Sequence, residues 1–328
     1  WTRRRLLRTL FCSSALAGWN LSRSPLWAAG PDDTPDDLHW LAIGDFGSES
    51  PAQLAVARGL ASYVRQRSLR PEGLLLLGDN FYGPMPGGVR SPRWKSGFED
   101  MYPADIFPGP CPAVLGNHDY HDNPRGAEVQ LSYAGTVPGT RWTMPAPWYR
   151  RDWPENQPLV TFLFLDTNTP EISGGPAGIR DALSRRQADE QWDWIEAELQ
   201  KPRAAWTVVI GHHPVYSNGQ HGDTPQLVKR LGPLLQKHRA AVYLCGHDHD
   251  LQHLELEGLC TSYVISGGGG ARVREGTISE SERGPFSKAV YGFTHIQANP
   301  RELTIRHLDA NGRLLHSFRK LPSLEFAV

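Results

Sequence analysis

Five short apolar segments of the chain each end at a glycine, and an aspartate, asparagine or histidine follows that glycine directly. The five motifs are Gly44-Asp45-Phe46-Gly47, Gly78-Asp79-Asn80-Phe81-Tyr82-Gly83, Gly116-Asn117-His118-Asp119, Gly211-His212-His213-Pro214 and Gly246-His247-Asp248-His249-Asp250. Continuous apolar runs of this length indicate strands that are buried on both faces. Because ligands bind outside the carboxyl ends of the strands in an α/β sheet, the motifs are predicted to meet at one edge of the fold.

The segments between the motifs alternate strands with helices, which predicts an α/β core. Helical patterns cover residues 51–67, 184–200 and 223–238. Ser184 and Gln187 form a capping-box pattern at the start of the second helix. The expected strands are residues 38–43, 74–77, 113–115, 159–165, 207–210, 241–244, 263–265, 293–297, 303–308 and 314–319. The dipeptide Asn311-Gly312 predicts a hairpin turn between the last two strands.

The side chains in the five motifs are of the types that bind metal ions. Carboxylate oxygens and imidazole nitrogens suit Fe, Zn and Mn, and a preceding glycine lets the backbone turn sharply towards an ion. His247 and His249 are two residues apart, so in extended backbone they point to the same side. The candidate metal ligands are Asp45, Asp79, Tyr82, Asn117, His212, His247 and His249.

Seven protein ligands exceed what one ion needs and fit two ions about 3.5–4 Å apart, the arrangement of hydrolases that act on phosphate esters. Asp45 or Asp79 is the expected bridge between the ions. A single Gly-Asp is usually a turn, and a single His-x-His is often one face of a surface strand. The joint occurrence of the five motifs, each after an apolar run, indicates the two-metal centre.

This combination resembles the calcineurin-like metallophosphoesterase superfamily, and more closely the purple acid phosphatases of the small, tartrate-resistant type. A tyrosine three residues after the aspartate, as in Asp79 and Tyr82, marks the purple acid phosphatases within the superfamily. The resemblance covers residues 38 to 270 and weakens towards the C-terminus. Other segments that look like those of the family are residues 144–149, 165–167, 211–216, 221–224 and 243–249.

The resemblance implies a fold and a set of ions. The fold is two mixed β-sheets packed as a sandwich and flanked by helices, the αββα architecture of metallophosphoesterases. One site is expected to hold Fe(III) through Asp45, Asp79, Tyr82 and His249. The second is expected to hold a divalent ion (Fe, Zn or Mn) through Asp79, Asn117, His212 and His247. A phenolate on Fe(III) gives the family its visible colour, and this hard anionic ligand favours the ferric state.

The expected reaction is hydrolysis of a small-molecule phosphomonoester. Two cations lower the pKa of bound water, and the resulting hydroxide attacks phosphorus in line while the cations offset phosphoryl charge. The leaving alcohol then needs a proton. His118 and His221 are the candidate catalytic residues, because both match histidines that bind substrate or donate protons in the resembled family.

Two other functions fit the same motifs. A phosphodiesterase would use the same two ions and differ only in the shape of its loops. A catalytically weak binding protein would keep the fold, but the complete ligand set argues against it, because decayed sites usually lose ligands. The formal net charge of −1 argues against a strongly basic nucleic-acid binder, so no nucleic-acid partner is expected.

The basic charge of the chain is concentrated at its start. Residues 1–29 contain five arginines and no acidic residue, which leaves 29 basic against 35 acidic residues in the remainder. Arg3-Arg4-Arg5 precedes an apolar stretch at residues 10–21 and the small pair Ala28-Ala29, an order typical of an export signal. The arginines resemble a twin-arginine motif.

These features predict the following organisation and location. We expect an export signal at residues 1–29, a linker at 30–37, a metallophosphoesterase domain at 38–321 and a C-terminal tail at 322–328. The twin-arginine export machinery is the expected partner, and the destination is the periplasm or the outside of the cell. No apolar run reaches about 18 residues, so no stable membrane anchor is expected after signal removal.

Overall fold

The computed structural model describes residues 37–123, 125–173, 182–274 and 283–327. The predicted export signal therefore lies outside the described residues, as does the predicted linker except for Asp37. The described strands are β1 (Leu38–Ile43), β2 (Gly73–Leu76), β3 (Cys111–Pro112), β4 (Trp142–Thr143), β5 (Tyr149–Trp153), β6 (Val160–Phe164), β7 (Trp206–Ile210), β8 (Val242–Cys245), β9 (Leu251–Leu254), β10 (Ser262–Ser266), β11 (Phe286–Lys288), β12 (Gly292–Ala298), β13 (Leu303–Asp309), β14 (Leu314–Lys320) and β15 (Phe326–Ala327).

The described helices connect these strands. They are α1 (Pro51–Gln66), α2 (Asn117–His121), α3 (Gly126–Thr136), α4 (Arg185–Gln200) and α5 (Pro225–Lys237), with a 3₁₀ turn at Gly88–Arg90 and a π-helical turn at Trp94–Glu99. The α4 helix begins as its sequence predicts: the Ser184 side chain accepts a hydrogen bond from the Gln187 backbone, and the Gln187 side chain accepts one from the Ser184 backbone.

Two mixed β-sheets form the centre of the fold. The six-stranded sheet has the order β15-β14-β13-β12-β1-β2, and only β1 and β2 run parallel in it. The seven-stranded sheet has the order β11-β9-β10-β8-β7-β6-β5, in which β6, β7, β8 and β10 are parallel. The predicted fold class, two mixed sheets with helices outside, is confirmed.

Alternate residues of the buried strands face different layers. On β7, Val208 and Ile210 join the core between the two sheets, where Trp40 and Phe162 pack edge to face. Val209 instead joins the core under α4 and α5, beside Trp192 and other apolar residues of these helices. Because both faces of the strand are covered, its sequence is apolar throughout.

The secondary structure around residue 113 differs from the prediction. A strand was expected at residues 113–115, but the strand is β3, two residues earlier, and Ala113 makes only an isolated bridge to Leu76. The sequence predicts none of seven further elements. They are the helices α2 and α3, the strands β5, β9 and β11, and the two-residue strands β4 and β15. Their sequences are short or polar and carry no clear period, so tertiary contacts decide their conformation. No helix within the described ranges is long and apolar enough to span a membrane.

Gly59 of α1 provides a test of the packing between this helix and the six-stranded sheet. A Cβ at Gly59 would lie 2.1 Å from the Ala310 carbonyl oxygen in the turn between β13 and β14. We expect Gly59→Ala to lower the free energy of unfolding by about 1–3 kcal/mol, because the helix must move away from the sheet. Gly135→Ala in α3 is the matched control, since a Cβ at this position would meet no described atom within 4 Å. Urea unfolding should show this control stabilised by up to about 1 kcal/mol; equal effects at both sites would contradict the packing argument.

Candidate metal centre

The two sheets meet at the carboxyl ends of their parallel strands, and the five glycine motifs lie there. Asp45 follows β1 and Asp79 follows β2 in one sheet, whereas His212 follows β7 and His247 follows β8 in the other. The sheets are joined at this edge by hydrogen bonds from Gly44 N to Ser266 O (2.7 Å) and between His212 Nδ1 and Leu77 O (2.9 Å). The convergence expected from the motifs therefore occurs at the junction of two sheets.

The first group of donors is formed by Asp45, Asp79, Tyr82 and His249. Ligand atoms of the two aspartates and the histidine all lie within 4.8 Å of one another. The Tyr82 hydroxyl lies 3.0 Å from Asp79 Oδ2, 3.4 Å from Asp45 Oδ1 and 3.3 Å from His249 Nε2. His249 donates from Nδ1 to the Arg272 carbonyl oxygen at 2.9 Å, which directs Nε2 towards the carboxylates.

The second group is formed by Asn117, His212 and His247. Asn117 Oδ1 lies 3.1 Å from His212 Nε2 and 3.0 Å from His247 Nδ1, and these two nitrogens are 3.3 Å apart. Asp79 connects the two groups, because its Oδ1 lies 3.4 Å from His212 Nε2. All seven residues predicted from the sequence as metal ligands are thus brought together.

The chemistry of these donors fits bound cations. His212 donates from Nδ1 to a carbonyl oxygen, which directs Nε2 towards Asn117 Oδ1 at 3.1 Å. An imidazole nitrogen and an amide oxygen in this arrangement can both bind one cation. Asp45 and Asp79 are both buried, and within the described ranges their ion-pair partners are histidines, without lysine or arginine. Cations would supply the missing positive charge.

Burial and neighbouring charge shift the proton equilibria in this cluster. Burial raises the pKa of Asp79 to about 7, with the Asp45 charge acting in the same direction. Burial next to these carboxylates also raises the pKa of Tyr82 well above its usual value. Burial lowers the pKa of His247 well below its usual value, and the surrounding histidines add to this effect. His247 is therefore neutral, the form in which an imidazole binds a metal.

Three of the proposed ligands adopt a backbone conformation that L-residues rarely use. The φ angles are +57° at Asp45, +51° at Asp79 and +73° at His247. This left-handed conformation costs roughly 1–3 kcal/mol per residue and is concentrated at functional sites. The sharp turns that the sequence predicts at the glycines therefore occur mainly at the candidate ligand residues. Among the five glycines that begin the motifs, only Gly78 has a positive φ in this structure.

The glycines before the motifs are needed for close approach between the loops. A Cβ at Gly78 would lie 2.4 Å from His212 Nδ1, and one at Gly116 would lie 2.2 Å from the backbone nitrogen of Asp79. A Cβ at Gly246 would lie 2.4 Å from Asp45 Oδ2. Side chains at these positions would push the ligand-bearing loops apart.

His118 and His221 border the donor cluster. The His118 backbone nitrogen donates to Asp79 Oδ1 (2.9 Å), its Nδ1 lies 3.0 Å from Asp122 Oδ2, and its ring packs on Tyr82. The His221 ring packs on His247 with 4.2 Å between ring centroids. Burial lowers the pKa of His221 despite the opposing charge of Asp248. Both predicted catalytic histidines therefore lie beside the donors.

Asp119 supports the cluster from beneath. Its buried carboxylate accepts hydrogen bonds from the backbone nitrogens of Asn80 (3.1 Å), Phe81 (3.1 Å) and Gly116 (2.8 Å). These bonds tie the loop of Asp79 to that of Asn117. The signal that points to this role is the position of Asp119 at the third residue of α2, but its partners are distant in sequence.

Other residues near the motifs are held by contacts within the fold. Asp248 accepts hydrogen bonds from the Ser217 hydroxyl and the His221 backbone nitrogen, and Asp250 accepts one from the Gln252 side chain. His253 is buried, with Nε2 2.8 Å from Glu255 Oε1. Three aromatic residues, Phe81, Trp94 and Trp142, pack together as one buried cluster.

The chain is similar to known phosphatases in sequence and to solved structures in fold. A family model described as calcineurin-like phosphoesterase matches residues 37–251. The chain is 31% identical over 315 residues to the tartrate-resistant acid phosphatase type 5 of Oryctolagus cuniculus, with 89% of this chain and 93% of that protein covered. It is 28% identical over 299 residues to purple acid phosphatase 7 of Arabidopsis thaliana, with coverages of 85% and 84%. The solved structure of GAP50, the anchor in the inner membrane complex of Plasmodium, shares the fold, with a TM-score of 0.72 at 21% identity over 86% of this chain and 87% of that chain.

The substitution Asp79→Asn tests whether the buried carboxylates are built to bind cations. The amide keeps the shape of the side chain but removes its repulsion with Asp45. In metal-free protein at about pH 8, thermal unfolding should show a higher midpoint for the variant than for the wild type. Addition of ferric and zinc ions should stabilise the wild type, by about 4 kcal/mol when the free ions exceed Kd about a thousandfold, and the variant much less.

The control for this substitution is Asp105→Asn, which removes an exposed carboxylate on the surface. The control should behave as the wild type in both conditions. An undiminished metal-induced shift in Asp79→Asn would exclude Asp79 from the centre.

Proposed function

The chain belongs to the calcineurin-like phosphoesterase family, and from this membership we propose that it is an acid phosphatase that hydrolyses small phosphomonoesters at a centre of two metal ions. The family identifies it as a phosphoric ester hydrolase, and the resemblance to purple acid phosphatases predicted from its sequence is confirmed. The observation that carries the proposal is the convergence of seven side chains of metal-binding type, whose candidate ligand atoms lie close to one another.

We assign Asp45, Tyr82 and His249 to Fe(III), and Asn117, His212 and His247 to a divalent ion, with Asp79 shared between them. The orientation of the carboxylates supports Asp79 as the bridge. Its Oδ2 is directed to Tyr82 and its Oδ1 to His212. Asp45 has one oxygen directed to His249, whereas its Oδ2 accepts a hydrogen bond from the backbone of His247 (2.8 Å).

The chemistry then divides between the ions and the residues of the chain. Two bound cations would lower the pKa of a water molecule and offset charge on the phosphoryl oxygens. His118 and His221 supply the proton that the leaving alcohol needs. Because Asp122 accepts from Nδ1 of His118, the hydrogen bond orients Nε2 away from Asp122, free to contact substrate. Gly83 N also donates to Asp122 (2.8 Å), which holds this carboxylate in place.

We further propose that the enzyme acts in the periplasm or outside the cell. The order of arginines, apolar stretch and small residues within residues 1–29 supports export through the twin-arginine machinery. The near neutrality of the whole chain does not oppose an anionic substrate, because the ions would provide positive charge where the phosphate binds.

Metal analysis combined with a visible spectrum tests the ion assignment. Protein purified from its natural compartment should contain two ions per chain, one of them iron, and should hydrolyse 4-nitrophenyl phosphate. Tyr82→Phe should lose the visible absorption band, because phenylalanine offers no phenolate to Fe(III). Tyr216→Phe, a partly buried tyrosine outside the donor cluster, is the control and should keep the band.

The outcomes separate the competing classes of protein. If the purified protein is active but contains no iron, it is a general dimetal phosphatase and not a purple acid phosphatase. Fewer than two ions per chain and no phosphatase activity would support a binding protein that keeps the fold. A visible band that persists in Tyr82→Phe would exclude Tyr82 from the coordination sphere.

Leaving-group dependence tests the roles of His118 and His221. Loss of a proton donor slows substrates with poor leaving groups most, because good leaving groups depart without protonation. We expect His118→Ala and His221→Ala to lower kcat about 100-fold for an alkyl phosphate but much less for 4-nitrophenyl phosphate, with metal content retained. His121→Ala, an exposed neighbour whose ring centroid is 6.4 Å from that of His118, should change neither rate. An equal loss on both substrates would assign the residue a structural role.

A further inference from the structure

The guanidinium of Arg93 connects the loop after Asp45 with the loop after Tyr82. Its Nη2 donates to the Gly47 carbonyl oxygen (3.0 Å), and its Nη1 donates to the Gly83 carbonyl oxygen (3.1 Å). Gly47 is two residues after Asp45, and Gly83 directly follows Tyr82. The same Gly47 oxygen accepts from the Tyr82 backbone nitrogen (3.0 Å). One planar group therefore fixes the spacing of two segments that each carry a proposed iron ligand.

We infer that Arg93 is a positioning residue for the iron half of the centre. It keeps the Tyr82 hydroxyl beside the carboxylates of Asp45 and Asp79, where the phenolate would bind Fe(III). The inference rests on the proposed function, because it takes Tyr82 as an iron ligand. Arg93 acts through the backbone, since its hydrogen bonds end on main-chain oxygens next to the proposed ligands and not on the ligand atoms themselves.

The loop after Tyr82 is poor in backbone donors and in packing. Residues 83–88 read Gly-Pro-Met-Pro-Gly-Gly, and the two prolines have no N–H to donate. Gly83 has a φ of +75°, and a Cβ there would meet no described atom within 4 Å. Arg93 Nη1 donates to the oxygens of both Gly83 and Pro84 (3.1 and 3.2 Å). The arginine thus supplies hydrogen-bond donors that the sequence of this loop lacks.

The loop after Asp45 is strained at the residue that pairs with Arg93. Glu49 has a φ of +50°, a left-handed conformation that persists only where the surroundings hold it. Its carboxylate pairs with Arg93 Nε and accepts a hydrogen bond from the Ser96 hydroxyl. Because Glu49 neutralises the guanidinium, Arg93 acts on the centre through geometry and not through net charge.

Buried aromatic rings hold Arg93 in place. Trp94 follows it directly, is buried, and stacks on Tyr133 with 3.5 Å between ring centroids. Trp94 also packs edge to face on Phe81, and the Arg93 guanidinium lies over the same Phe81 ring at 5.5 Å. Phe81 directly precedes Tyr82. The arginine therefore has the fixed position that a residue supporting a metal ligand needs.

Arg141 makes the same kinds of contact away from the centre and is the matched control. Its guanidinium lies over the Phe98 ring at 5.1 Å and pairs with Glu99 at 2.6 Å. It donates to the carbonyl oxygens of Tyr102 (2.6 Å) and Phe107 (3.0 Å). None of these four partners is a candidate ligand or adjoins one in sequence. Lysine at either arginine position keeps the charge but cannot donate in the same planar geometry.

The experiment compares Arg93→Lys with Arg141→Lys. Metal-free protein is dialysed to equilibrium against ferric citrate, and both the bound iron and the visible absorption per bound iron are measured. We expect Arg93→Lys to weaken ferric affinity about tenfold, equivalent to about 1.4 kcal/mol, and to lower the absorption per bound iron, because Tyr82 is no longer held beside the carboxylates. Arg141→Lys should lower the midpoint of urea unfolding but change neither iron measurement.

A double-mutant cycle tests whether Arg93 acts through Tyr82. In the Tyr82→Phe background, Arg93→Lys should weaken ferric affinity by less than about twofold, because the ligand that it positions is already absent. Equal losses in both backgrounds would overturn the inference. If circular dichroism shows that Arg93→Lys does not fold, Glu49→Gln takes its place. This variant removes the carboxylate that pairs with Arg93 Nε and should weaken ferric affinity about threefold, and an unchanged affinity would overturn the inference.

The remaining outcomes separate the inference from the proposed function. Unchanged iron affinity and absorption in Arg93→Lys would overturn the inference and leave the proposed function intact. The same would follow if Arg141→Lys lost as much iron affinity as Arg93→Lys, because the effect would then reflect general stability. Wild-type protein that binds no iron would instead overturn the iron assignment in the proposed function.

Discussion

The burial of Asp45 and Asp79 side by side is the constraint on which the rest of the centre depends. Neither carboxylate reaches solvent, and their described ion-pair partners are histidines. Moving two negative charges from water into the protein interior costs more free energy than folding supplies, unless positive charge or hydrogen-bond donors compensate. The backbone nitrogens of His118 and His247 and the Tyr82 hydroxyl supply part of this compensation. In the proposed centre, two bound cations would supply the remainder.

To bring these carboxylates together, the loops that carry them must approach each other closely and adopt strained backbone conformations. Three candidate ligands adopt left-handed φ angles, and glycines lie where a side chain would separate the loops. Such strain persists only where the surroundings hold it. Here the surroundings are two sheets whose inner faces share one core, together with Asp119, which binds backbone nitrogens of two ligand loops. The rigid sandwich therefore stabilises a site that would be unstable as isolated loops.

The position of the centre at a junction of two sheets also explains the surface around it. Loops from both sheets border the donors, so residues far apart in sequence form a single groove next to His249. Arg274 joins this groove to His221, although 53 residues separate them. In the proposed centre, a substrate bound at the ions would therefore contact loops that do not carry the candidate metal ligands.

Much of the fold was predictable because local signals agree with the tertiary structure. The strand β1 has the expected bounds, β6 to β8 and β12 to β14 differ from them by one or two residues, and α4 begins at the predicted cap Ser184. The seven candidate ligands also converge as expected: six of them follow the strands β1, β2, β7 and β8, whereas Asn117 begins the helix α2. The strand predicted at residues 113–115 was misplaced, since the apolar residues there are buried by the surrounding structure and make only one isolated bridge. The burial of His253 could not be predicted from the sequence, because its partner His316 is 63 residues away.

The sequence by itself determined the types of candidate ligand and, for all of them except Asn117, the strand that each one follows, because apolar period and residue chemistry are local properties. Only the tertiary structure decided which atoms face one another. It directs one oxygen of Asp79 to each donor group, gives Asp119 its backbone partners and joins Asp248 to Ser217 and to the backbone of His221. These facts depend on distances between segments that are roughly 30 to 200 residues apart, and no local pattern encodes such distances.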